Sequence, residues 1–217
     1  MCGIYGYIGD KDAYSAVLNG LSLLQYRGYD SCGVAYYNNG FKVNKAVGTL
    51  NNLKECPIKP KIAFGHTRWA TNGVVTEANA HPHVSFNGEI TVVHNGIIKN
   101  SDEIKGKLIK KGINFYSETD TEVIANYLTT IDINKNLGKI FKDLKGTYSL
   151  IIGNSAGDIT LIKQFSPLHI LKTDNEIYIS SDISSLPSGE LYTLKDGDII
   201  KIVNKEMWPM PSYGDLL

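Results

Sequence analysis

The last third of the chain alternates apolar runs with short clusters of Asp, Asn and Gly: TYSLIIGNSAGDITLIKQF, LHILKTDNEIYISSD and ELYTLKDGDIIKIV. Each reads as two strands joined at a tight turn, at Ala156-Gly157-Asp158, Asp174-Asn175 and Asp196-Gly197. Three such hairpins commit the chain to antiparallel sheet.

The first third adds strands of the same kind. Residues 2–9 read as a strand, and Asp12 is placed to cap a helix whose Val17, Leu18, Leu21 and Leu24 share one face and which ends near Tyr26-Arg27-Gly28. Asn38-Asn39-Gly40 marks a further hairpin. IAFGHTRWA and ITVVHNGII are strands separated by the polar stretch TNGVVTEANAHPHVSFNGE, and a loop of that length is more often functional than idle. The middle is helical: Ser101 is predicted to cap DEIKGKLIKK, while Val123, Ile124, Tyr127 and Leu128 fall at helical spacing. NLGKIFKDLK is predicted to stop at Gly146, and the tail MWPMPSYGDLL to pack irregularly. The order is strands, helices, strands, with no βαβ alternation. That order predicts an α+β fold of antiparallel sheets with helices segregated onto their faces.

The 217 residues, 42% of them hydrophobic, suffice for the core of one domain, read here as 1–217. Lys+Arg and Asp+Glu both total 22, so the balance offers no electrostatic capture of nucleic acid or an anionic membrane. The longest apolar runs fall far short of the ~20 residues of a membrane-spanning helix. Three widely spaced cysteines, Cys2, Cys32 and Cys56, with no secretory leader read ahead of them, predict free thiols in a reducing, cytoplasmic compartment.

Four places carry chemistry-bearing groups. MCGIYGYIG puts Cys2 beside the terminus. With Met1 removed, Cys2 would hold a thiol and an α-amine of pKa near ~8 on one residue, nucleophile and base together. Packing as a small hydrophobe is the alternative. In GHTRWATNG, the Arg68 fork suits bidentate capture of a carboxylate and Trp69 could wall off a pocket, although a structural ion pair explains Arg68 equally well. In VVHNGIIKN, Asn95 and Gly96 offer a side-chain amide and an unobstructed backbone N–H, as an oxyanion hole requires, or else an ordinary turn. In SETDTEV, Asp120 precedes a helix, where capping alone would account for it. His81-Pro82-His83, with His66 and His94, lacks the spacing of a zinc site and reads as structural hydrogen bonding; no metal or cofactor is called for.

MCGIYGYIG, LLQYRGYDSCG, GHTRWATNG, NAHPHV, VVHNGIIKN, SETDTEV and GTYSL, followed by FSPLHI and ISSD, stand in the order and spacing of the class II glutamine amidotransferases. Together they cover essentially the whole chain. The YRGYDS segment resembles the sugar-phosphate branch, the glutaminase domain of glutamine–fructose-6-phosphate amidotransferases, more than the other branches. This resemblance implies the amino-terminal nucleophile hydrolase fold, a four-layer αββα sandwich of two antiparallel sheets. It implies hydrolysis of L-glutamine to glutamate and ammonia through a Cys2 thioester. Asn95 and the Gly96 N–H would form the oxyanion hole, Arg68 would anchor the α-carboxylate and Asp120 the α-ammonium. Trp69 and Thr71 would line a loop closing over glutamine, and Arg27 would pack beside the nucleophile. The partner it implies is an ammonia-accepting synthase domain or subunit.

The chain also departs from that pattern. Asn72 stands where the family usually has histidine, Gln25 and Lys99 replace glutamates, and Cys32 replaces alanine. The family's sugar-phosphate isomerase half has no counterpart in these 217 residues. A catalytically silent glutamine-binding sensor or regulatory subunit is the alternative reading, and a hydrolase of the same fold acting on another amide is a third. Cys2 argues against the sensor, since a pure binder has no use for an attacking thiol. The pairing of Arg68 with Asp120 argues against the other amide.

Overall fold

A computed structural model describes residues 2–69 and 74–210. In chain order, β1 (Gly3–Ile8) leads through the Asp12 cap into α1 (Ala13–Leu23), and β2 (Ser31–Tyr37) and β3 (Phe41–Val47) form the first hairpin. β4 (Ile62–Arg68), the two-residue β5 (His83–Val84) and β6 (Ile90–Ile98) follow. Next come α2 (Ser101–Ile109), α3 (Asp120–Leu128) and the single turn α4 (Ile140–Asp143). The last part holds β7 (Gly146–Asn154), β8 (Ile159–Gln164), β9 (His169–Lys172), β10 (Ile177–Ser180), β11 (Glu190–Thr193), β12 (Ile199–Val203) and β13 (Glu206–Met210).

The strands form two antiparallel sheets. One has seven strands in the order β11-β9-β10-β1-β4-β2-β3, and the other six in the order β13-β12-β8-β7-β6-β5. Side chains alternate across a strand, so each sheet has two faces to bury. Ile4, Ile8 and Phe64 of the first sheet meet Val93, Ile151 and Leu161 of the second in the central core. Tyr5, Tyr7, Val34 and Ala63 point the other way, against Val17 and Leu21 of α1 and Leu24 just after it. Val92, Leu150 and Ile152 pack outward against Ile104 of α2, Ile124 and Leu128 of α3 and Ile140 of α4. The layers therefore run helix, sheet, sheet, helices, as expected.

Two strand assignments need correction. ELYTLKDGDIIKIV is not a hairpin: β11 pairs with β9 in the seven-stranded sheet and β12 with β8 in the six-stranded one. The turn chemistry is real, with Gly197 at φ 90° and Lys195 N donating to Asp198 Oδ2 at 2.7 Å. Buried Leu194, however, drives into the central core, so the chain crosses between sheets there. The start of the tail is more regular than expected, because Glu206–Met210 pairs with β12, and residues 211–217 lie outside the described residues. Pro209 fits because β13 is an edge strand, where a missing N–H costs no ladder bond.

The helix ends also differ in detail. Ser101 is the first residue of α2, and Asn100 holds the cap position without capping it. The Asn100 amide instead donates to Asp143 O and accepts from Lys145 N, both at 2.9 Å, tying α2 to the start of β7. Gly146 opens β7 rather than stopping a helix, which has already ended at Asp143.

Candidate active site

Strand parity builds the site. Cys2 precedes β1 with the parity of Ile4 and Ile8, His66 and Arg68 share the face of Phe64 on β4, and Asn95 shares the face of Val93 on β6. Those faces look across the gap between the sheets. They are apolar through most of the sandwich and turn polar at one end, where a thiol, a guanidinium, an imidazole and an amide replace aliphatic side chains. The β1–β4 ladder pairs Gly3 with Thr67, which carries Cys2 to the end of β4. Trp69 N donates to Cys2 Sγ at 3.3 Å, and the thiol lies 3.6 Å from Trp69 O.

A cavity of about 250 Å³ opens at this polar end, lined by Cys2, Arg68, Trp69, Gly96 and Asp120 among others. Its charged groups come from different elements: Arg68, 5% exposed, from the end of β4, and Asp120 from the first turn of α3. Asp120 Oδ2 accepts from Ile98 N at 2.8 Å, and Oδ1 lies 3.6 Å from His94 Nδ1. Burial raises the Asp120 pKa, but His94 and the donated hydrogen bonds outweigh it and leave the carboxyl below its usual range. It is a carboxylate at neutral pH. The Cys2 thiol is pushed up by burial, which the Trp69 N–H and the Arg68 charge only partly offset. It is therefore a thiol until a base takes its proton.

Asn95 and Gly96 complete the wall behind Cys2. Asn95 Nδ2 donates to Cys2 O at 3.0 Å, and Asn95 Oδ1 lies 3.1 Å from His66 Nε2. Gly96 has φ 140°, and a Cβ there would sit 1.9 Å from Thr147 O. Only glycine fits both the conformation and the space. Gly96→Ala is accordingly expected to displace β6 from β7 and lower stability by about 2–4 kcal/mol, read as a lower denaturation midpoint. An unchanged midpoint would show that the backbone there is not constrained. A second cavity, of about 320 Å³, shares Cys2 and Gly96 with the first and adds Asn95, Arg27, Ser166 and Pro167. The thiol thus lies between two openings.

Residues 66–188, more than half of the chain, match the family described as "Glutamine amidotransferase domain". The chain belongs to this family. It is 43% identical over 218 residues to the glutamine–fructose-6-phosphate aminotransferase of Caldanaerobacter subterraneus subsp. tengcongensis, with 95% of this chain and 36% of that protein covered. A Thermus thermophilus protein of the same name is 38% identical, covering 94% of this chain and 36% of its own length. The amidotransferase domain therefore spans about a third of these curated relatives. Among solved structures, the glutamine phosphoribosylpyrophosphate amidotransferase of B. subtilis superposes with a TM-score of 0.82 at 23% identity, over 96% of this chain and 49% of that one. The fold of the amidotransferase domain is the amino-terminal nucleophile hydrolase sandwich that the sequence resemblance implies.

Of the residues singled out in sequence, Cys2, Arg68, Trp69, Gly96 and Asp120 border the first cavity of the amidotransferase domain, and Arg27, Asn95 and again Cys2 and Gly96 the second. Thr71 and Asn72 lie outside the described residues. Arg27 is occupied structurally: its Nη1 donates to Ser181 O at 3.0 Å and Ser181 Oγ at 3.2 Å, holding the residue after β10. The Trp69 ring, 45% exposed, meets Tyr29 edge-on at 6.1 Å, so it is the Trp69 backbone that touches the thiol. Sequence reading missed Asp102 and Glu118, which also line the first cavity. It also missed the packing of His66, His81, His83 and His94 into one buried cluster behind Asn95 and Asp120. The available signal was His66 and His94 at strand-interior parity, where a solvated side chain has no place.

Proposed function

We propose that this domain hydrolyses L-glutamine to glutamate and ammonia, with Cys2 as nucleophile after removal of Met1. One observation carries the reading: a thiol and a positive-φ glycine line a cavity that also holds a guanidinium and a carboxylate, and the Asn95 amide beside them donates to the Cys2 carbonyl and lines the adjoining cavity. Arg68 and Asp120 are the complementary pair for the charged head of a free α-amino acid. A side chain anchored through that head presents its far end to Cys2, so binding energy goes into orientation.

The freed α-amine takes the Cys2 proton, and the thiolate attacks the amide carbon of glutamine. The charge on the carbonyl oxygen is met by Asn95 Nδ2 and the Gly96 N–H. Collapse breaks the C–N bond, the α-ammonium returns its proton to the leaving nitrogen, and ammonia departs from the thioester. Water then attacks the thioester, the α-amine taking its proton, and glutamate leaves as the thiol is restored. The raised thiol pKa makes the base necessary rather than optional. The acceptor of the ammonia is proposed to be a synthase domain or subunit, by analogy with the longer relatives. The three free cysteines suit a reducing cytoplasmic setting.

The anchors give the test of substrate class. Asp120→Asn and Arg68→Met are each expected to lower kcat/KM for glutamine by about 30- to 1,000-fold, the equivalent of 2–4 kcal/mol of a charge-assisted contact. The loss should fall mainly on KM. Glutamine carrying an acetylated α-amine should be a poor substrate for the unmodified chain. Equal turnover of free and acetylated glutamine would overturn the assignment of Asp120.

A further inference from the structure

The buried histidine cluster forms a continuous path between the two ends of the site. Asn95 Oδ1 lies 3.1 Å from His66 Nε2, and His66 Nδ1 lies 3.1 Å from His81 Nδ1. His81 Nε2 lies 2.7 Å from Thr121 Oγ1, which is 3.1 Å from His94 Nδ1. His94 Nδ1 in turn faces Asp120 Oδ1 at 3.6 Å. His66, His81 and Thr121 are each at most 7% exposed, so their partners are these protein atoms. Resting on the glutaminase reading of Asn95, the geometry points to a proton-ordered relay in which His66, His81 and Thr121 are positioning residues that keep the Asn95 NH₂ turned toward the reacting carbonyl.

The order of protons follows from one fixed point. Cys2 O only accepts, so the Asn95 atom 3.0 Å from it is the NH₂, and Oδ1 must face His66. His66 Nε2 therefore carries a proton. Burial holds His66 down to about 3 and His81 well below its usual value, so both rings are neutral, with one proton each. A proton on His66 Nε2 leaves its Nδ1 bare, and His81 Nδ1 must donate to it. His81 Nε2 is then bare and takes the Thr121 hydroxyl proton. Thr121 Oγ1, its proton used, accepts from His94 Nδ1. His94 Nε2 also faces an acceptor, Thr147 O at 3.4 Å, but Nδ1 has the shorter contact to Thr121 at 3.1 Å with the Asp120 carboxylate 3.6 Å away, which favours a proton at Nδ1. The Thr121 hydroxyl has a second acceptor in Asp120 Oδ1 at 3.4 Å, but the 2.7 Å contact to His81 Nε2 is much the shorter and takes its proton, and every link then depends on the next.

Reversing any link reverses all those beyond it. If the Thr121 hydroxyl is removed, His81 is free to carry its proton on Nε2 and present a bare Nδ1 to His66. His66 then protonates at Nδ1, its Nε2 becomes an acceptor, and the Asn95 amide turns over to donate to it. That rotation points Oδ1, an acceptor, at the oxyanion. Nothing in the sandwich need unfold for this to happen. The carboxylate that receives the substrate ammonium is thus connected to the amide that receives the developing charge.

The test combines a spectrum with kinetics. In the chain starting at Cys2, labelled with ¹⁵N-histidine at pH 7, His66 is expected to be protonated at Nε2 and bare at Nδ1, with His81 the reverse. Thr121→Val, nearly isosteric, is expected to lower kcat by about 10- to 100-fold, short of the full loss of an oxyanion donor, with KM for glutamine within about 3-fold. The His66 signal should move toward the Nδ1–H form. Thr121→Ser should restore both readouts. His66 protonated at Nδ1 in the unmodified chain, or a Thr121→Val loss confined to KM, would overturn the relay. If the unmodified chain releases no ammonia, the glutaminase reading fails, and the spectrum alone still decides the proton order.

Discussion

Acidification from pH 7 to pH 5 is expected to cost this fold about 2 kcal/mol for each of three histidines. His66, His81 and His83 are buried and shifted downward, His66 to about 3, with desolvation the leading cause in each case. In the unfolded chain each binds a proton as pH falls through ~6.5. In the native state none does so in this range. The unfolded state therefore binds more protons, and stability must fall as pH falls. The stabilisation is fully present above ~6.5 and is lost progressively down to the native pKa values. Between pH 7 and 5 the carboxylates barely titrate, so the window isolates the imidazoles. Three such terms, about 6 kcal/mol together, are a large part of the 5–15 kcal/mol that holds an ordinary domain. Urea denaturation at pH 7, 6 and 5 should show a steadily falling midpoint, and His66→Gln should remove about a third of the slope. Equal stability at pH 7 and 5 would mean that the rings are solvated or already charged.

Loss of the proposed nucleophile is the second large effect. Cys2→Ala is expected to reduce ammonia release from glutamine by at least roughly 10³-fold. Glutamine binding should change only a few-fold, because the proposed anchors of the amino-acid head, Arg68 and Asp120, remain in the cavity wall. Titration calorimetry for binding and a coupled assay for ammonia separate the two quantities. The same comparison addresses the silent-sensor alternative. A sensor would bind glutamine equally well with cysteine or alanine, and neither protein would turn it over. A retained Met1 would mimic the alanine variant, since it places the base nitrogen in a peptide bond, and an intact mass lighter by one methionine identifies the mature form.

Local chemistry was legible in the sequence wherever it was sufficient. Asn39 at φ 50° and Gly40 at φ 106° occupy left-handed conformations, which is why Asn38-Asn39-Gly40 reads as a hairpin from its residue types alone. Asp12 caps α1 as its position implies, accepting from Tyr14 N at 3.1 Å. The same rules fail at Asp196-Gly197, because turn residues report that a chain reverses and not which sheet it joins. That choice was made by Leu194, whose burial against the opposite sheet no local pattern records. Cys2, Arg68, Asn95 and Asp120, the proposed nucleophile, anchors and oxyanion donor, were legible as candidates because each sits in a compact motif. The histidine cluster was not, since it joins β4, β6, α3 and the loop before β5 only when the sheets stack. Parity could place His66 between the sheets and His94 on the face of Val92 beneath the helices, but not Thr121 between His81 and His94.

The most direct test is to incubate the chain beginning at Cys2 with free L-glutamine and measure ammonia and glutamate together. Equal amounts of the two are expected, growing with time and absent from Cys2→Ala. Saturable glutamine binding with neither product formed would contradict the assignment of Cys2 as a nucleophile.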